Sequence, residues 1–203
     1  MKISPKWIFN KYFLVMLTMT FFFFLKSEPK IFEKIVSPTP WIKSRNDFLK
    51  VMPKNGVVAE IGVLIGENAE SILLYCSPKH LYLIDIWRDI RQYHEVKNMF
   101  RNDSRVTVIR ADSAKAAKLF EDGFFDWVYI DGEHRYEFVK KDLNVWFKKI
   151  KCGGILAGHD YVNPLEYEWF GVVQAVNEFI VENKLKMIYL STDYWASFAI
   201  KKE

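Results

Sequence analysis

Acidic residues follow five short apolar segments of the chain, and a glycine-containing loop follows the first of them. The segments end at Glu60, Asp85, Asp112, Asp131 and Asp160. Any one of these acids could cap a helix, as Asp112 before "SAKAAKLF" illustrates. Their recurrence after successive segments indicates a shared acidic rim instead, because ligands bind beyond the carboxyl ends of the strands in an open α/β sheet.

The glycine loop favours a cationic ligand over a pyrophosphate. The stretch "VVAEIGVLIGEN", residues 57–68, has Gly62 and Gly66 but lacks the G-x-G-x-x-G spacing with which dinucleotide enzymes hold a pyrophosphate. Glu60 would repel phosphate, and Asp85, 25 residues further on, suits a carboxylate that binds ribose hydroxyls. S-adenosylmethionine, which carries an ammonium, a sulfonium and no phosphate, fits this pattern. The alternative is a nicotinamide-dependent oxidoreductase on the same kind of sheet.

Two further stretches, "IDGEHRY" and "GHDY", contain groups that could activate an acceptor hydroxyl. Glu133 or His134 could act as a general base, since an imidazole has an unperturbed pKa of about 6.5. Alternatively, Asp131, His159 and Asp160 could hold a divalent ion that lowers the pKa of the acceptor. Carboxylates suit magnesium, whereas a histidine ligand would also admit manganese or iron. The simpler alternatives are that His134 caps the next helix and that His159 and Asp160 shape the pocket without a metal.

Alternating strand and helix patterns must position these groups. Short β-branched or aromatic runs separated by helical periodicity predict βα units and a mainly parallel sheet. Helices are expected over 136–150 and around Val172–Ile180, and "WIKSRNDF", residues 41–48, also looks helical. The last two strands are too close in sequence for a parallel crossover and must pair antiparallel. Seven strands are predicted, at residues 57–63, 80–87, 106–112, 125–132, 154–160, 186–192 and 195–202.

These motifs together resemble the class I S-adenosylmethionine-dependent methyltransferases over about residues 50–202. The resemblance is to the branch with the pattern "IDG-x-H-x-Y" and then "GG-x-L-x-x-HD", carried here by "FDWVYIDGEHRYEFVKKDLNVWFKKIKCGGILAGHDY". It implies a Rossmann-like seven-stranded sheet in the order 3-2-1-4-5-7-6, with the last strand antiparallel and helices on both faces. The ligand cleft would then cross the first and fourth strands.

The resemblance also implies roles for individual residues. Glu60, Gly62 and Gly66 would line the methionine end of the cofactor, Asp85 the ribose, and Asp112 with Ser113 the adenine, with Asp131 also at the cofactor site. Similar antibiotic sugar O-methyltransferases imply a magnesium site at Asp131 and Asp160, joined by His159, with Glu133 as the base. The expected reaction is therefore O-methylation of a small hydroxylated or glycosidic acceptor. A non-catalytic binding protein with the same fold is a further alternative.

Composition limits the other function classes. A chain of 203 residues has room for one domain, and its net charge of +4 is scattered without the basic stripe of a nucleic-acid-binding surface. Cys76 and Cys152 lie far apart, with no zinc-ligand or disulfide spacing.

The N-terminus predicts a membrane segment. Residues 7–25, "WIFNKYFLVMLTMTFFFFL", are nearly all apolar and suit an uncleaved single-pass anchor, with a cleaved signal or a buried helix as alternatives. Lysines flank both sides equally, so the orientation is not defined. The predicted organisation is an anchor or signal segment over 1–28, a proline-containing linker over 29–40 and a methyltransferase-like domain over 41–203.

Overall fold

The structure of the protein, a computed structural model, describes residues 40–162 and 169–203. Its strands are β1 Trp41–Ile42, β2 Val57–Ile61, β3 His80–Asp85, β4 Val106–Arg110, β5 Phe125–Ile130, β6 Ile150–Gly158, β7 Met187–Ser191 and β8 Phe198–Lys201. Its α-helices are α1 Arg45–Val51, α2 Glu67–Cys76, α3 Ile90–Met99, α4 Ser113–Ala116, α5 Tyr136–Lys149 and α6 Val172–Glu182. A short 3-10 helix, Ala117–Leu119, follows α4.

All eight described strands form one sheet in the order β1-β7-β8-β6-β5-β2-β3-β4. Strand β8 is antiparallel to both β6 and β7, and the other pairs are parallel, so the predicted Rossmann-like α/β sheet with a terminal antiparallel hairpin is confirmed. The predicted seven-stranded order is corrected to an eight-stranded one, because β1 adds a parallel strand at the edge beyond β7.

The extra strand explains why the helix predicted from "WIKSRNDF" begins late. Trp41 and Ile42 pair with Leu190 and Ser191 of β7 and therefore adopt extended backbone. The helix α1 starts only after Ser44, whose hydroxyl accepts from the Asp47 N–H at 3.2 Å and donates to the Asp47 carboxylate at 2.8 Å. Serine is a preferred N-cap residue, because its side-chain oxygen can accept from a free N–H of the first helical turn.

Two apolar clusters cover the two faces of the sheet, as predicted. One packs α4, α5 and α6 against the strands, with Trp146, Leu143 and Phe179 buried. The other packs α1, α2 and α3 on the opposite face, with Phe48 and Ile72 buried. Strands buried on both faces read as nearly continuous apolar runs, which is why the central strands were recognisable in sequence.

Strand ends are the main local differences from prediction. Strand β6 begins at Ile150 rather than near residue 154, because a bulge separates the Phe125–Ile150 pair from the Trp127–Ile155 pair. Gly153 takes a φ of 78° within this bulge. The helices α5 and α6 match their predicted positions closely.

The predicted single-pass membrane localisation is corrected. Within residues 40–162 and 169–203, no helix has both the length and the apolar character needed to cross a bilayer. The predicted anchor over 1–28 and nearly all of the linker over 29–40 lie outside the described residues.

Candidate active site

A cavity of about 520 Å³ opens at the carboxyl ends of β2, β3, β4 and β5. Its volume is in the usual range of roughly 300–1,000 Å³ for small-ligand sites. The site residues predicted from sequence that line it are Glu60, Gly62, Asp85, Asp112, Ser113, Asp131, Glu133 and His134. The lining does not include Gly66, His159 or Asp160.

Gly62, in the loop after β2, packs closely against the backbone at the end of β5. Its φ is 88°, and a Cβ placed there would lie 2.1 Å from the carbonyl oxygen of Asp131, so a side chain is excluded on both counts. The Asp131 N–H also donates to the Ile61 carbonyl at 2.7 Å. Gly66, with a φ of 92°, is the N-cap of α2 and turns the chain into that helix.

The carboxylate of Asp85 organises the glycine loop. Its Oδ2 accepts from the backbone N–H groups of Val63 at 2.8 Å and Leu64 at 3.0 Å, and its Oδ1 accepts from the Trp87 N–H at 2.7 Å. Each carboxylate oxygen can accept two hydrogen bonds, so Oδ1 retains capacity for a ligand hydroxyl. Asp85 thus holds the loop and still faces the cavity.

Glu60 is buried and only partly satisfied. Its Oε1 accepts from Asn68 Nδ2 at 2.9 Å, whereas Oε2 and the Asn68 Oδ1 have no hydrogen-bond partner. Burial raises the pKa of Glu60 to about 8, an effect that the Asn68 hydrogen bond only partly offsets. Unpaired buried oxygens are costly, so these two atoms indicate a place for a cationic or hydrogen-bonding ligand group. Asn68 was not predicted, although it lies within the same quoted glycine-loop segment.

Asp112 and Ser113 follow β4 but differ in what they offer a ligand. Asp112 caps α4 by accepting from the Lys115 N–H at 3.1 Å. The Ser113 hydroxyl donates to Asp142 at 2.7 Å and accepts from Trp146 Nε1 at 2.8 Å. The Ser113 hydroxyl therefore joins a core network and keeps one acceptor lone pair, and burial raises the pKa of Asp142 in that network to about 6.

A second group of titratable side chains lies at the ends of β5 and β6. Asp131, His134 and Asp160 each present one possible ligand atom, and these atoms lie within 4.8 Å of one another. His134 Nε2 is 2.7 Å from Asp160 Oδ2, although its N–H is not aligned with that oxygen as a hydrogen bond requires. Asp160 has a φ of 58°, a left-handed conformation that is uncommon outside glycine and often marks functional positions.

The charges of this group depend on one another. Burial lowers the pKa of His134, but the nearby Asp160 and Asp131 carboxylates outweigh it and raise the pKa above the usual 6.5. Burial raises the pKa of Asp160, but His134 and His159 outweigh it and hold the pKa well below its usual range. Asp160 is therefore ionised, and His134 is held beside a negative charge.

His159 lies between the two carboxylates, with Nδ1 3.6 Å from Asp131 Oδ1 and 3.3 Å from Asp160 Oδ1. Burial lowers its pKa, but both acids raise it, to about 9 overall. His159 is consequently an imidazolium at neutral pH and neutralises part of the acidic charge. The cluster with metal-ligand spacing contains His134 in place of the predicted His159.

Glu133 is paired outside this group. Its two carboxylate oxygens accept from Arg135 at 3.1 and 2.9 Å, and this pairing lowers the pKa of Glu133. A carboxylate with a lowered pKa is a weaker base, so this geometry favours His134 over Glu133 for proton removal.

Two aromatic rings pack close to the imidazole of His134. The ring centroid of Phe170 lies 4.6 Å from that of His134, and the centroid of Trp169 lies 6.0 Å from it. Trp195, from the turn between β7 and β8, is 6.0 Å from Phe170. The Trp195 contact was not predicted, because aromatic residues are abundant throughout the sequence and tertiary pairing cannot be read from abundance.

Arg45 is a further cavity residue that sequence reasoning missed. It is the first residue of α1, and its Nη1 lies 3.5 Å from Asp131 Oδ2. In sequence it is one charge among several in a short helical segment, without a motif that distinguishes it.

Comparison with known proteins agrees with this architecture. A family model described as a methyltransferase domain matches residues 59–161, more than half of the chain. No curated protein sequence matches the chain. The N-methyltransferase NodS from Bradyrhizobium japonicum WM9 has a similar structure, with a TM-score of 0.57, 16% identity, and coverage of 73% of this chain and 87% of NodS.

Other solved structures share the fold at similarly low identity. A putative sarcosine dimethylglycine methyltransferase from Galdieria sulphuraria has a TM-score of 0.60 and 10% identity over 77% of this chain and 82% of its own. Spermidine synthase from Thermotoga maritima has a TM-score of 0.54 and 20% identity over 77% of this chain and 55% of its own. These likenesses concern the fold.

The chain belongs to the methyltransferase-domain family and is an S-adenosylmethionine-dependent methyltransferase. The predicted enzyme class and cofactor are confirmed, and the oxidoreductase alternative is wrong. The unpaired oxygens of Glu60 and Asn68 and the remaining acceptor capacity of Asp85 fit the ammonium and the ribose of this cofactor.

Proposed function

We propose that this methyltransferase, with its catalytic domain over residues 41–203, transfers a methyl group to a hydroxyl of a small acceptor and that His134 is the general base. The observation that carries the proposal is the contact between His134 Nε2 and the buried Asp160 carboxylate, 2.7 Å apart beside the cofactor cavity. A hydroxyl is a poor nucleophile until it loses its proton, and a positioned imidazole near its pKa can remove that proton.

In this proposal the predicted cofactor residues keep distinct roles. Glu60 and Asn68 bind the ammonium of the methionine end, Asp85 accepts from the ribose, and the Asp112 side of the cavity binds the adenine. S-adenosylmethionine, when bound, supplies a methyl group on a sulfonium that is ready to be displaced. The Ser113 hydroxyl already contacts Asp142 and Trp146, so one acceptor lone pair is left for a ligand donor at the adenine end.

Proton transfer is the task of the second group. His134 takes the acceptor proton while the oxygen attacks in line, and the negative charge of Asp160 stabilises the imidazolium that forms. Close backbone packing supports a fixed position for His134. Its carbonyl accepts from the Gly171 N–H at 2.8 Å, and Gly171 lies so close to the start of α5 that an added Cβ would be 2.3 Å from Tyr136 Cα.

The surrounding rings support an acceptor with a flat or ring-shaped apolar face, such as a sugar or an aromatic alcohol. Trp169 exposes 57% of its surface and Trp195 37%, and both belong to the aromatic group around His134. Exposed aromatic faces of this kind stack on ring-shaped ligands and bury apolar area at little cost in side-chain entropy.

A divalent cation is the alternative way to activate the hydroxyl. Asp131, His134 and Asp160 have suitable donor atoms and spacing, and an ion held there would lower the pKa of a bound hydroxyl. We favour the general base because the imidazolium of His159 already contacts both carboxylates and compensates their charge.

The test is release of S-adenosylhomocysteine by the full-length protein with a panel of ring alcohols, each paired with its deoxy and amino counterparts. We expect turnover with an alcohol, a product in which one hydroxyl hydrogen is replaced by a methyl group, and unchanged turnover after exhaustive chelation. Turnover confined to amines would contradict O-methylation, and loss with chelation followed by recovery with added magnesium would contradict the metal-free mechanism.

A further inference from the structure

Arg45 stands out as a cation in a cavity lined largely by acids. Its side chain is about one-third exposed, at 34%, and it faces the cavity from the start of α1. It lies close enough to Glu60 for its charge to lower the pKa of that carboxyl, against the larger effect of burial. A guanidinium and a carboxyl group therefore both line the end of the cavity assigned above to the methionine portion of the cofactor.

We propose that Arg45 binds the α-carboxylate of that methionine portion and so selects cofactors that retain it. This inference rests on the cofactor placement proposed above and does not depend on the acceptor. An amino-acid group carries an ammonium and a carboxylate on one carbon. Binding both requires a carboxyl group for the ammonium and a cationic side chain for the carboxylate, close to each other. Glu60 supplies the carboxyl group for the ammonium, and Arg45 supplies the guanidinium for the carboxylate.

The present contact of Arg45 leaves room for such a ligand. Its 3.5 Å separation from Asp131 is longer than the roughly 2.7–2.9 Å of a charge-assisted hydrogen bond. Asp131 is its single ion-pair partner among residues 40–162 and 169–203, and a guanidinium has five N–H donors in a planar fork that matches a carboxylate. A ligand carboxylate can therefore bind the guanidinium of Arg45 while its long contact with Asp131 remains.

The extra edge strand gives Arg45 a fixed position. The Arg45 N–H donates to the Asp193 carboxylate at 2.9 Å, and the Thr192 N–H donates to the Ile42 carbonyl at 2.7 Å. These bonds and the pairing of β1 with β7 attach the start of α1 to the terminal hairpin. The strand that the sequence did not predict thus positions a residue at the cofactor cavity.

The other arginine of the cavity provides a matched control. Arg88 follows β3, on the Asp85 side of the cavity, and its side chain is exposed. It carries the same charge as Arg45 but follows the strand that ends at Asp85, the residue assigned to the ribose. Its replacement reports the effect of charge alone.

The experiment compares two ligands that differ only in the carboxylate: S-adenosylhomocysteine and its decarboxylated analogue. Calorimetry on the full-length wild-type protein should give binding of the analogue about 10- to 100-fold weaker, as expected for loss of a charge-assisted pair. In Arg45→Gln we expect the affinity for S-adenosylhomocysteine to fall by that factor and the gap between the ligands to shrink to within about threefold. Arg45→Lys should recover part of the gap, and Arg88→Gln should keep it.

The comparison of ligands separates this inference from a structural effect and from the cofactor placement. A general loosening of the site in Arg45→Gln would weaken both ligands equally and leave the gap intact, which would overturn the role of Arg45. Equal wild-type affinity for the two ligands would overturn it as well. A wild-type protein that binds neither ligand would instead refute the cofactor placement itself.

Discussion

The two halves of the site are built differently. The half that we propose binds the cofactor, called the cofactor half, lies at the ends of β2, β3 and β4 and is held by backbone contacts: Asp85 accepts from three amide groups, and Gly62 fits against the Asp131 carbonyl. The half that we propose binds the acceptor, called the acceptor half, lies at the ends of β5 and β6 and is held by contacts among side chains, chiefly those of His134, His159 and Asp160. In the first half the side chains are held by backbone hydrogen bonds. In the second half the protonation of each side chain depends on the charge of its neighbours and therefore changes with pH.

This difference indicates where each kind of substitution should act. Changes in the cofactor half should alter binding and stability, because its residues also shape the backbone. Changes in the acceptor half should alter turnover, because we propose that its residues supply the proton acceptor and they do not hold the glycine loop.

Gly62→Ala should have the largest effect. The added Cβ would clash with backbone at 2.1 Å and would also occupy a φ of 88°, so we expect a loss of more than about 4 kcal/mol in the free energy of unfolding and no measurable cofactor binding. Chemical denaturation and calorimetry with S-adenosylhomocysteine measure the two quantities. Gly123→Ala is the matched control, since its φ of 72° carries similar strain but nothing lies within 4 Å of the added Cβ. Equal losses for both variants would mean that the close approach at Gly62 is unimportant.

His134→Gln should lower kcat about 100-fold or more with an acceptor found in the panel above, because a general base contributes roughly 10²–10⁴. The wild-type rate should rise with pH, with a midpoint above 6.5, because only the neutral imidazole accepts a proton and nearby acids raise its pKa. The variant should lose this rise. His94→Gln, at an exposed histidine outside the cavity, should retain both rate and profile. A wild-type profile that persists in His134→Gln would assign the base elsewhere.

Glu60→Gln should have a smaller effect on stability than Gly62→Ala, a change of roughly 3 kcal/mol in its pH dependence between pH 5 and pH 8. Because burial raises the folded-state pKa of Glu60 from 4.5 to about 8, the folded protein keeps a proton that the unfolded chain loses, and this contribution to stability falls as pH rises between those values. Urea unfolding at pH 5 and pH 8 should therefore show a larger decline for the wild type than for Glu60→Gln. Parallel declines would mean that Glu60 titrates normally in the fold.

Much of the fold was predictable because its signals are local. The central strands read as continuous apolar runs, and the helices α5 and α6 have clear helical periodicity, so their positions follow from the sequence. The strand β1 was missed because two residues have no periodicity, and their extended backbone depends on pairing with β7, almost 150 residues away.

The site residues also differ in whether local sequence or tertiary contacts determine their positions. Glu60, Gly62 and Asp85 were identifiable because each sits at a strand end or in a loop whose spacing is fixed by the backbone. The pairing of His134 with Asp160 and the position of Arg45 depend on tertiary contacts, which spacing alone does not encode. Ser113 illustrates the converse: its place after β4 is as expected, but its hydroxyl is used by Asp142 and Trp146.

The most direct test of this division is the affinity for S-adenosylhomocysteine of Asp85→Asn and His134→Gln, measured side by side by calorimetry on the full-length protein. Asparagine would turn an N–H donor or a weaker acceptor towards the three loop amides, so Asp85→Asn should bind at least about tenfold more weakly. His134→Gln should bind within about twofold of the wild type. Equal weakening of both variants, or stronger weakening in His134→Gln, would contradict the separation of a backbone-held cofactor half from a proton-transferring acceptor half.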